Sequence, residues 1–217
     1  LLTYQNSAIR QASEDGKGII ALGTGLGKTY SALGLIAYNT QLGRSKRTCV
    51  VVPKSVLENW YHEIKSFYGS ENMGGIFIPA VDPVADKDGN IEQELILDEK
   101  GQPKINEHTG QEQYRDKIKL VTSGKAIKER LAKIPQSNYS VVVLTKEQFS
   151  KLPLRPESVG EHVANRVAAG ALKGKYVSNA KNYTEAQKNE NFKAKYSDVG
   201  TKKYDDVPYF EDMAFDT

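Results

Sequence analysis

The stretch that decides the fold is Gly18-Ile19-Ile20-Ala21-Leu22-Gly23-Thr24-Gly25-Leu26-Gly27-Lys28-Thr29. A short apolar run leads into a loop with three glycines in five positions, and Lys28-Thr29 opens an apolar-periodic segment typical of a helix. This order predicts a phosphate-binding loop between a buried strand over 18–22 and a helix. We expect the Lys28 ammonium to reach the terminal phosphates of a nucleotide and the Thr29 hydroxyl to hold Mg²⁺.

The loop departs from the strict phosphate-binding pattern at one position. That pattern has glycine five residues before Gly27, and this chain has Leu22 there. The stretch from Ala21 to Thr29 nevertheless resembles the form of the loop in superfamily-two helicases and translocases. The alternative is a glycine-rich turn with a chance Gly-Lys-Thr.

The segments after the loop predict an α/β fold with a mostly parallel sheet and helices on both faces. Thr48–Val52 is a continuous β-branched run and Val141–Leu144 is a second one, as in strands buried on both sides. Ser55-Val56-Leu57-Glu58 has the spacing of a capping box, which predicts a helix that begins at Ser55. Helices are also expected over 4–14, 28–39 and 125–134, and short connections between strands and helices favour a doubly wound sheet.

Residues 82–118 interrupt this alternation. The pairs Asp88-Gly89, Lys100-Gly101 and Thr109-Gly110 recur about every ten residues between alternating segments, which predicts an inserted β-meander. The wider stretch 71–122 has 6 Lys and Arg against 11 Asp and Glu, so the insertion is acidic.

Residues 153–208 form a second expected insertion, which is helical and rich in Lys and Tyr. Lysines alternate with Tyr and Phe over 173–204. Such a stretch could follow a DNA backbone and stack on bases. The alternative is a charge-rich helix facing solvent.

Composition excludes several classes of protein. The formal net charge of +3 is too small to imply a nucleic-acid partner by itself. A single cysteine, Cys49, excludes a disulfide framework and a cysteine-based zinc set. No apolar stretch has the length of a membrane span, so no membrane partner is expected and a cytoplasmic location fits best.

Four motifs together resemble those of Swi/Snf-type DNA translocases, in the branch that phages and mobile elements carry. Leu1-Leu2-Thr3-Tyr4-Gln5 is similar to their L-x-P-Y-Q entry, with Thr3 where proline is usual. Gly25–Thr29 matches their G-L-G-K-T, although Leu22-Gly23 replaces the usual Asp-Glu. The most specific match is Val51-Val52-Pro53-Lys54-Ser55-Val56-Leu57-x-Asn59-Trp60-x-x-Glu63, and Val142–Thr145 resembles a later strand that ends in Thr-Thr-Tyr.

The resemblance implies a RecA-like P-loop NTPase lobe and assigns roles by position. Gln5 would bind the adenine edge of ATP, and Thr29 would contact Mg²⁺ through the nucleotide. DNA, expected to be double-stranded, would contact Pro53, Lys54, Ser55 and Thr145 through its phosphates. The triphosphate would be held by Gly23, Thr24, Gly25, Leu26, Gly27, Lys28 and Thr29.

No catalytic residue is expected in this chain. Hydrolysis by such a motor needs an apolar strand that ends in Asp-Glu. Leu95–Glu99 has that composition, but it precedes the Thr145 strand and a turn follows it at once, so we read it as the end of a hairpin. Phe215-Asp216 resembles the residues just before the family's acidic motif, so that motif and a second RecA-like lobe are expected beyond this chain.

The expected organisation has five parts, and the expected function follows from it. Residues 1–81 and 119–152 would form the RecA-like lobe, 82–118 and 153–208 the insertions, and 209–217 the lead-in to the acidic motif. The interpretation is the ATP-binding part of a DNA translocase motor, without turnover on its own. Two alternatives stay open: a non-catalytic binding module with a vestigial loop, and a P-loop enzyme that does not act on nucleic acid.

Overall fold

The protein is described here by a computed structural model covering residues 1–155, 158 and 207–215. The helices expected beyond residue 158 and the Lys-rich stretch 173–204 lie outside the described residues. The described chain falls into two compact units. The first contains Leu1–Ile127 and Asn138–Lys146, and the second contains Lys128–Ser137 and the described residues between Glu147 and Phe215.

Helices and strands alternate along the described chain. The helices are α1 (Thr3–Asp15), α2 (Lys28–Gln41), α3 (Leu57–Tyr68), α4 (Gly124–Leu131) and α5 (Lys146–Phe149), with short 3-10 helices at Lys54–Val56, Ser70–Gly75 and Phe210–Met213. The strands are β1 (Thr48–Val52), β2 (Ile76–Phe77), β3 (Val81–Pro83), β4 (Gln93–Leu95), β5 (Tyr114–Asp116), β6 (Ile118–Leu120) and β7 (Val141–Thr145).

A parallel three-stranded sheet is the centre of the first unit. The order is β1-β7-β2, with Thr48 opposite Val141 and Val52 opposite Thr145. All five residues of β7 are buried, as expected for a central strand covered on both faces. Helices flank this sheet, so the expected mixed α/β class is confirmed.

The core joins the sheet to two helices. Leu33 and Ile36 of α2 and Leu57, Tyr61 and Ile64 of α3 belong to one buried cluster, which also contains Val52 and Val143. Their spacing of three and four residues places them on one side of each helix. Burial of these side chains therefore fixes where α2 begins relative to the strands.

The predicted strand before the loop is not present. Residues 18–23 have no regular secondary structure, and Ile19 is 94% exposed. An apolar run becomes a strand only where a neighbouring strand accepts its backbone hydrogen bonds. Among the described residues the sheet has no strand in that place, so the prediction for 18–22 was wrong for this structure.

The predicted helix start at Ser55 was also wrong. A 3-10 turn, Lys54–Val56, comes first, and α3 begins at Leu57 with Val56 before it and no side-chain cap. The tighter turn takes up the first residues of the expected helix. The other helix boundaries lie within the usual uncertainty of one or two residues, except the end of α4, which comes at Leu131 and not at residue 134.

Antiparallel strand pairs organise residues 81–120. Strand β3 pairs with β6, and β4 pairs with β5. Three further isolated bridges close shorter hairpins: Ala85 with Ile91, Leu97 with Pro103, and Ile105 with Glu112. The three bridged segments are therefore local hairpins, as the Gly-containing turns indicated, whereas the two strand pairs join segments that are distant in the sequence.

The second unit holds the end of the described chain. The Phe210 amide donates to the Pro153 carbonyl at 2.8 Å, and Arg155 pairs with Asp212. The Phe149 and Phe210 rings meet edge to face. In the described part of the chain, no helix is both long enough and apolar enough to cross a membrane.

Candidate functional site

The glycine loop turns sharply into α2. Gly25 and Gly27 have φ of +80° and +72°, a region that glycine adopts without steric cost. The Leu26 amide donates to the Gly23 carbonyl at 3.3 Å, which closes a turn. Helix α2 then begins at Lys28, so the loop lies directly before a helix N-terminus, as predicted.

The first turn of α2 has the chemistry of an anion site. The helical hydrogen bonds start with the Ser31 amide, which donates to the Gly27 carbonyl at 2.9 Å. The amides just before it, at positions 28–30, have no acceptor within the helix. No acidic residue lies in this turn, so nothing offsets the positive end of the helix dipole.

Lys28 folds back over its own loop. Its Nζ donates to the carbonyl oxygens of Gly23 at 3.0 Å and Leu22 at 3.3 Å. Among the described residues it forms no ion pair with a carboxylate, so its charge is not neutralised locally. An ammonium held only by two exposed carbonyls can move to a stronger acceptor such as a phosphate oxygen.

Helix α1 contacts the loop through two hydrogen bonds to one carbonyl oxygen, that of Leu26. Gln5 Nε2 donates to the Leu26 carbonyl at 3.1 Å, and the Tyr4 hydroxyl donates to the same oxygen at 3.2 Å. Gln5 Oε1 accepts from the Leu2 amide at 2.8 Å. Gln5, predicted to bind adenine, is therefore buried against the loop, with one amide hydrogen left for a further acceptor.

Sequence reasoning did not single out Tyr4. The entry motif assigns a role to Gln5 and none to Tyr4, whereas the Tyr4 hydroxyl donates to the Leu26 carbonyl of the loop. Its position next to Gln5 in the entry motif was the available signal. A phenol at the end of a long, rigid side chain reaches a carbonyl that the neighbouring residue also binds.

The residues predicted to contact DNA lie at one end of the sheet. Pro53, Lys54 and Ser55 follow the last residue of β1 and are exposed, and Thr145 is the last residue of β7. Strands β1 and β7 are parallel neighbours with Val52 opposite Thr145, so these positions lie side by side. Ligands of open α/β sheets bind at this carboxyl end of the strands.

The four residues are not equally available. Lys54 and Ser55 face solvent, whereas Thr145 is buried to 4% exposure and has polar contacts within the protein. A phosphate can reach the first two directly. Contact with Thr145 stays a prediction from the motif.

The stretch Leu95–Glu99 has the structure of a hairpin end. Asp98 Oδ1 accepts from the backbone amides of Lys100 and Gln102, at 2.8 and 2.9 Å. These bonds occupy the carboxylate within its own turn. The geometry agrees with the hairpin interpretation of this stretch.

A buried ion pair fixes the β insertion to α3. Asp116, 2% exposed, accepts from the Tyr61 hydroxyl at 2.9 Å and from Lys65 Nζ at 2.5 and 2.6 Å. Burial and the hydrogen bond to Asp116 raise the pKa of Tyr61 far above its usual value. The neighbouring His62 has a pKa below its usual value, because burial and the Arg115 charge both disfavour its charged form.

Comparisons with known proteins point to one family. Residues 6–151 match the SNF2-related domain. The chain is 44% identical over 218 residues to "Defense against restriction protein B" of Escherichia phage P1, covering 99% of this chain and 9% of that protein. No solved structure matches.

Proposed function

Since the chain belongs to the SNF2-related domain family, we propose that it is the ATP-binding part of a Swi/Snf-like DNA translocase motor. In the intact parent protein, ATP would be bound between this lobe and a second one, and turnover would drive movement along double-stranded DNA.

The observation that carries the proposal is the loop at the start of α2. Two left-handed glycines, a helix N-terminus without carboxylates and an unneutralised ammonium converge within residues 25–30. This donor set fits a polyphosphate. Bound Mg²⁺ would neutralise phosphate charge, with Thr29 supplying the protein's hydroxyl ligand.

A thermal-shift experiment tests nucleotide binding. Mg-ATP at about 100 times its Kd should raise the Tm by roughly 5–10 °C. Lys28→Ala should abolish most of that rise, whereas Lys17→Ala, an exposed lysine outside the loop, should preserve it. A rise that is the same in Lys28→Ala and the wild type would contradict the proposed site and favour a vestigial loop.

The exposed end of β1 supports DNA as the partner. Lys54 and Ser55 lie beyond the carboxyl end of β1, where the family motif places its phosphate contacts. A lysine and a hydroxyl with exposed backbone amides bind phosphates without reading sequence.

Binding to a short duplex tests this surface. Lys54→Ala should weaken binding uniformly across sequences and lower the slope of log K against log salt by about 0.9. Lys87→Ala removes an exposed lysine from the acidic insertion and should leave both values unchanged. An unchanged slope in Lys54→Ala would argue for a P-loop protein that does not act on nucleic acid.

The relative's name suggests a biological process in which the motor would act. That phage protein is named for defence against restriction, and we extend the same process to the parent of this chain because the similarity spans 99% of it. Lys28→Ala in the parent protein should then abolish protection of DNA against a restriction enzyme. Full protection of DNA by that variant would show that protection does not require the nucleotide-binding loop.

A further inference from the structure

The β insertion has an apolar face that nothing in the described chain covers. Leu97 is 55% exposed, Ile105 is 47% exposed and Tyr114 is 53% exposed. Three large hydrophobic side chains within eighteen residues of a monomer's surface are more than the scattered single residues that need no explanation.

Strand pairing places these side chains on the same face. Leu95 lies opposite Tyr114, Leu97 opposite Pro103, and Ile105 opposite Glu112. Direct partners in an antiparallel pair point to the same side, and so do alternate residues along a strand. The same rule places Glu112 on this side, where its carboxylate accepts from the Tyr114 hydroxyl at 2.8 Å. We call the other residues of the set, Leu95, Leu97, Pro103, Ile105 and Tyr114, the apolar face.

Two three-way junctions hold the insertion rigid. At the first, the amide of Val84 donates to Lys117, that of Lys117 to Glu92, and that of Glu92 back to Val84. At the second, the amides of Ile96, Gln113 and Lys104 form the same closed cycle, each bond 2.8 or 2.9 Å. Each junction satisfies three backbone amides from three separate segments, so the hairpins keep fixed directions.

The turns at the tips of the three hairpins share one hydrogen-bond pattern. Asp86, Asp98 and Asn106 each accept two backbone hydrogen bonds through the side-chain oxygen. A glycine with positive φ closes each turn, at Gly89, Gly101 and Gly110. Pre-ordered turns lower the entropy that a surface loses when a partner binds.

The insertion follows directly after the parallel sheet. Strand β2 ends at Phe77, and the first strand of the insertion begins at Val81. Phe77 pairs with Val142, so β2 ends three residues before the level of Thr145, the last residue of β7. The buried pair of Asp116 with Lys65 ties the insertion to α3, the helix that follows Lys54.

We infer that the apolar face is a docking surface for a basic protein. Residues 84–117 contain nine Asp and Glu against five Lys and Arg, whereas the rest of the chain contains 18 against 25. A partner surface with clustered Lys and Arg complements this negative charge. The inference goes beyond the proposed function, since neither nucleotide binding nor DNA binding enters it.

Charge also decides against the other occupants. DNA and anionic membranes would be repelled by the net negative charge around the apolar face. In a symmetric pair, a second copy of this chain would bring the same negatively charged face against this one, and the two faces would repel each other. A basic protein with an apolar centre is the partner that matches both the charge and the exposed aliphatic side chains.

A peptide probe tests the surface in the full chain. The probe is a fourteen-residue peptide of alternating Lys and Leu, labelled for fluorescence anisotropy, with polylysine of equal charge as comparison. We expect the Lys-Leu peptide to bind at least about tenfold more tightly than polylysine, because only it buries apolar area. Equal binding of the two peptides would overturn the inference.

Variants locate the binding. The double change Leu97→Ser with Ile105→Ser should weaken peptide binding about tenfold or more, and circular dichroism should be unchanged because both side chains are exposed. Leu42→Ser, an equally exposed apolar residue at the end of α2, should have no effect. Peptide binding that is unchanged by the double variant would overturn the inference.

The remaining outcomes separate the inference from the proposed function. Lys28→Ala should abolish nucleotide protection and leave peptide binding intact. If the double variant instead loses affinity for duplex DNA, the face is a nucleic-acid contact, and if it converts a dimer to a monomer in light scattering, the occupant is a second copy. Either result would overturn docking of a basic protein.

Discussion

At the residue scale, the most constrained group is the Asp116 carboxylate. Its side chain is 1% exposed, and its partners come from a helix that lies about fifty residues away in the chain. A buried carboxylate is tolerated only when hydrogen bonds and a positive charge compensate for its lost hydration. This one contact therefore decides where the insertion sits on α3.

Removing that carboxylate should destabilise the first unit. Asp116→Ala leaves the Lys65 ammonium and the Tyr61 hydroxyl without their partner, so we expect a loss of about 2–4 kcal/mol in the free energy of unfolding. Urea denaturation followed by circular dichroism measures it. Glu92→Gln breaks the exposed pair with Lys117 and should leave the midpoint unchanged. Equal effects of the two changes would show that the Asp116 pair is not a structural anchor.

The lowered pKa of His62 predicts how the stability of the folded protein depends on pH. Its pKa is lowered from 6.5 in the folded protein, mainly by burial and then by the charge of Arg115. The unfolded chain therefore takes up a proton at higher pH than the folded one does, so stability is complete above pH 6.5 and falls as the pH drops below it. The Tm should fall between pH 7.5 and pH 5.5, and His62→Gln should show a smaller fall. An identical fall in the variant would exclude His62 as the cause.

At the element scale, the loop depends on two glycines for different reasons. Both have positive φ, but a Cβ on Gly25 would meet nothing within 4 Å, whereas a Cβ on Gly27 would lie 2.4 Å from Gln5 Nε2. Gly25→Ala should add only backbone strain of about 1–2 kcal/mol. Gly27→Ala should add the same strain and also displace Gln5 from the Leu26 carbonyl.

The comparison of these two variants tests the contact between α1 and the loop. Gly27→Ala should lower both the free energy of unfolding and the affinity for ATP more than Gly25→Ala does. Urea denaturation and calorimetric titration with Mg-ATP measure the two quantities. Equal losses in both variants would mean that Gln5 does not hold the loop.

Elements with a complete local pattern could be predicted from the sequence. Strands Thr48–Val52 and Val141–Thr145 are runs of β-branched residues that the structure pairs with each other, and α2 begins at the predicted lysine. Local composition suffices there because runs of β-branched residues favour strands, and the loop glycines end one element before the next begins.

Features that depend on distant partners could not be predicted. The run at 18–22 has strand composition, but pairing decides whether it becomes a strand, and no described strand pairs with it. The turns of the insertion were visible as Gly-containing pairs, whereas the three-way junctions need amides and carbonyls from three separate segments. Hydrogen bonds of that kind leave no periodic trace in the sequence.

At the scale of the whole molecule, nucleotide and DNA would be held by different elements of one core. Helix α2 presents the loop and the end of β1 presents Lys54, and both elements bury side chains in the same cluster. A packed core transmits displacement because it has little free volume. This shared core is the physical basis on which a motor of this family would couple its nucleotide state to its affinity for DNA.

The central claim is that residues 24–30 bind the phosphates of ATP, and hydrogen exchange of the whole chain with and without Mg-ATP tests it most directly. The account predicts that ATP slows amide exchange at 24–30 and at the start of α1, where Tyr4 and Gln5 contact the loop, and that Lys28→Ala abolishes both effects. Bound ATP that leaves the exchange of 24–30 unchanged, or that protects the same amides in Lys28→Ala, would contradict it.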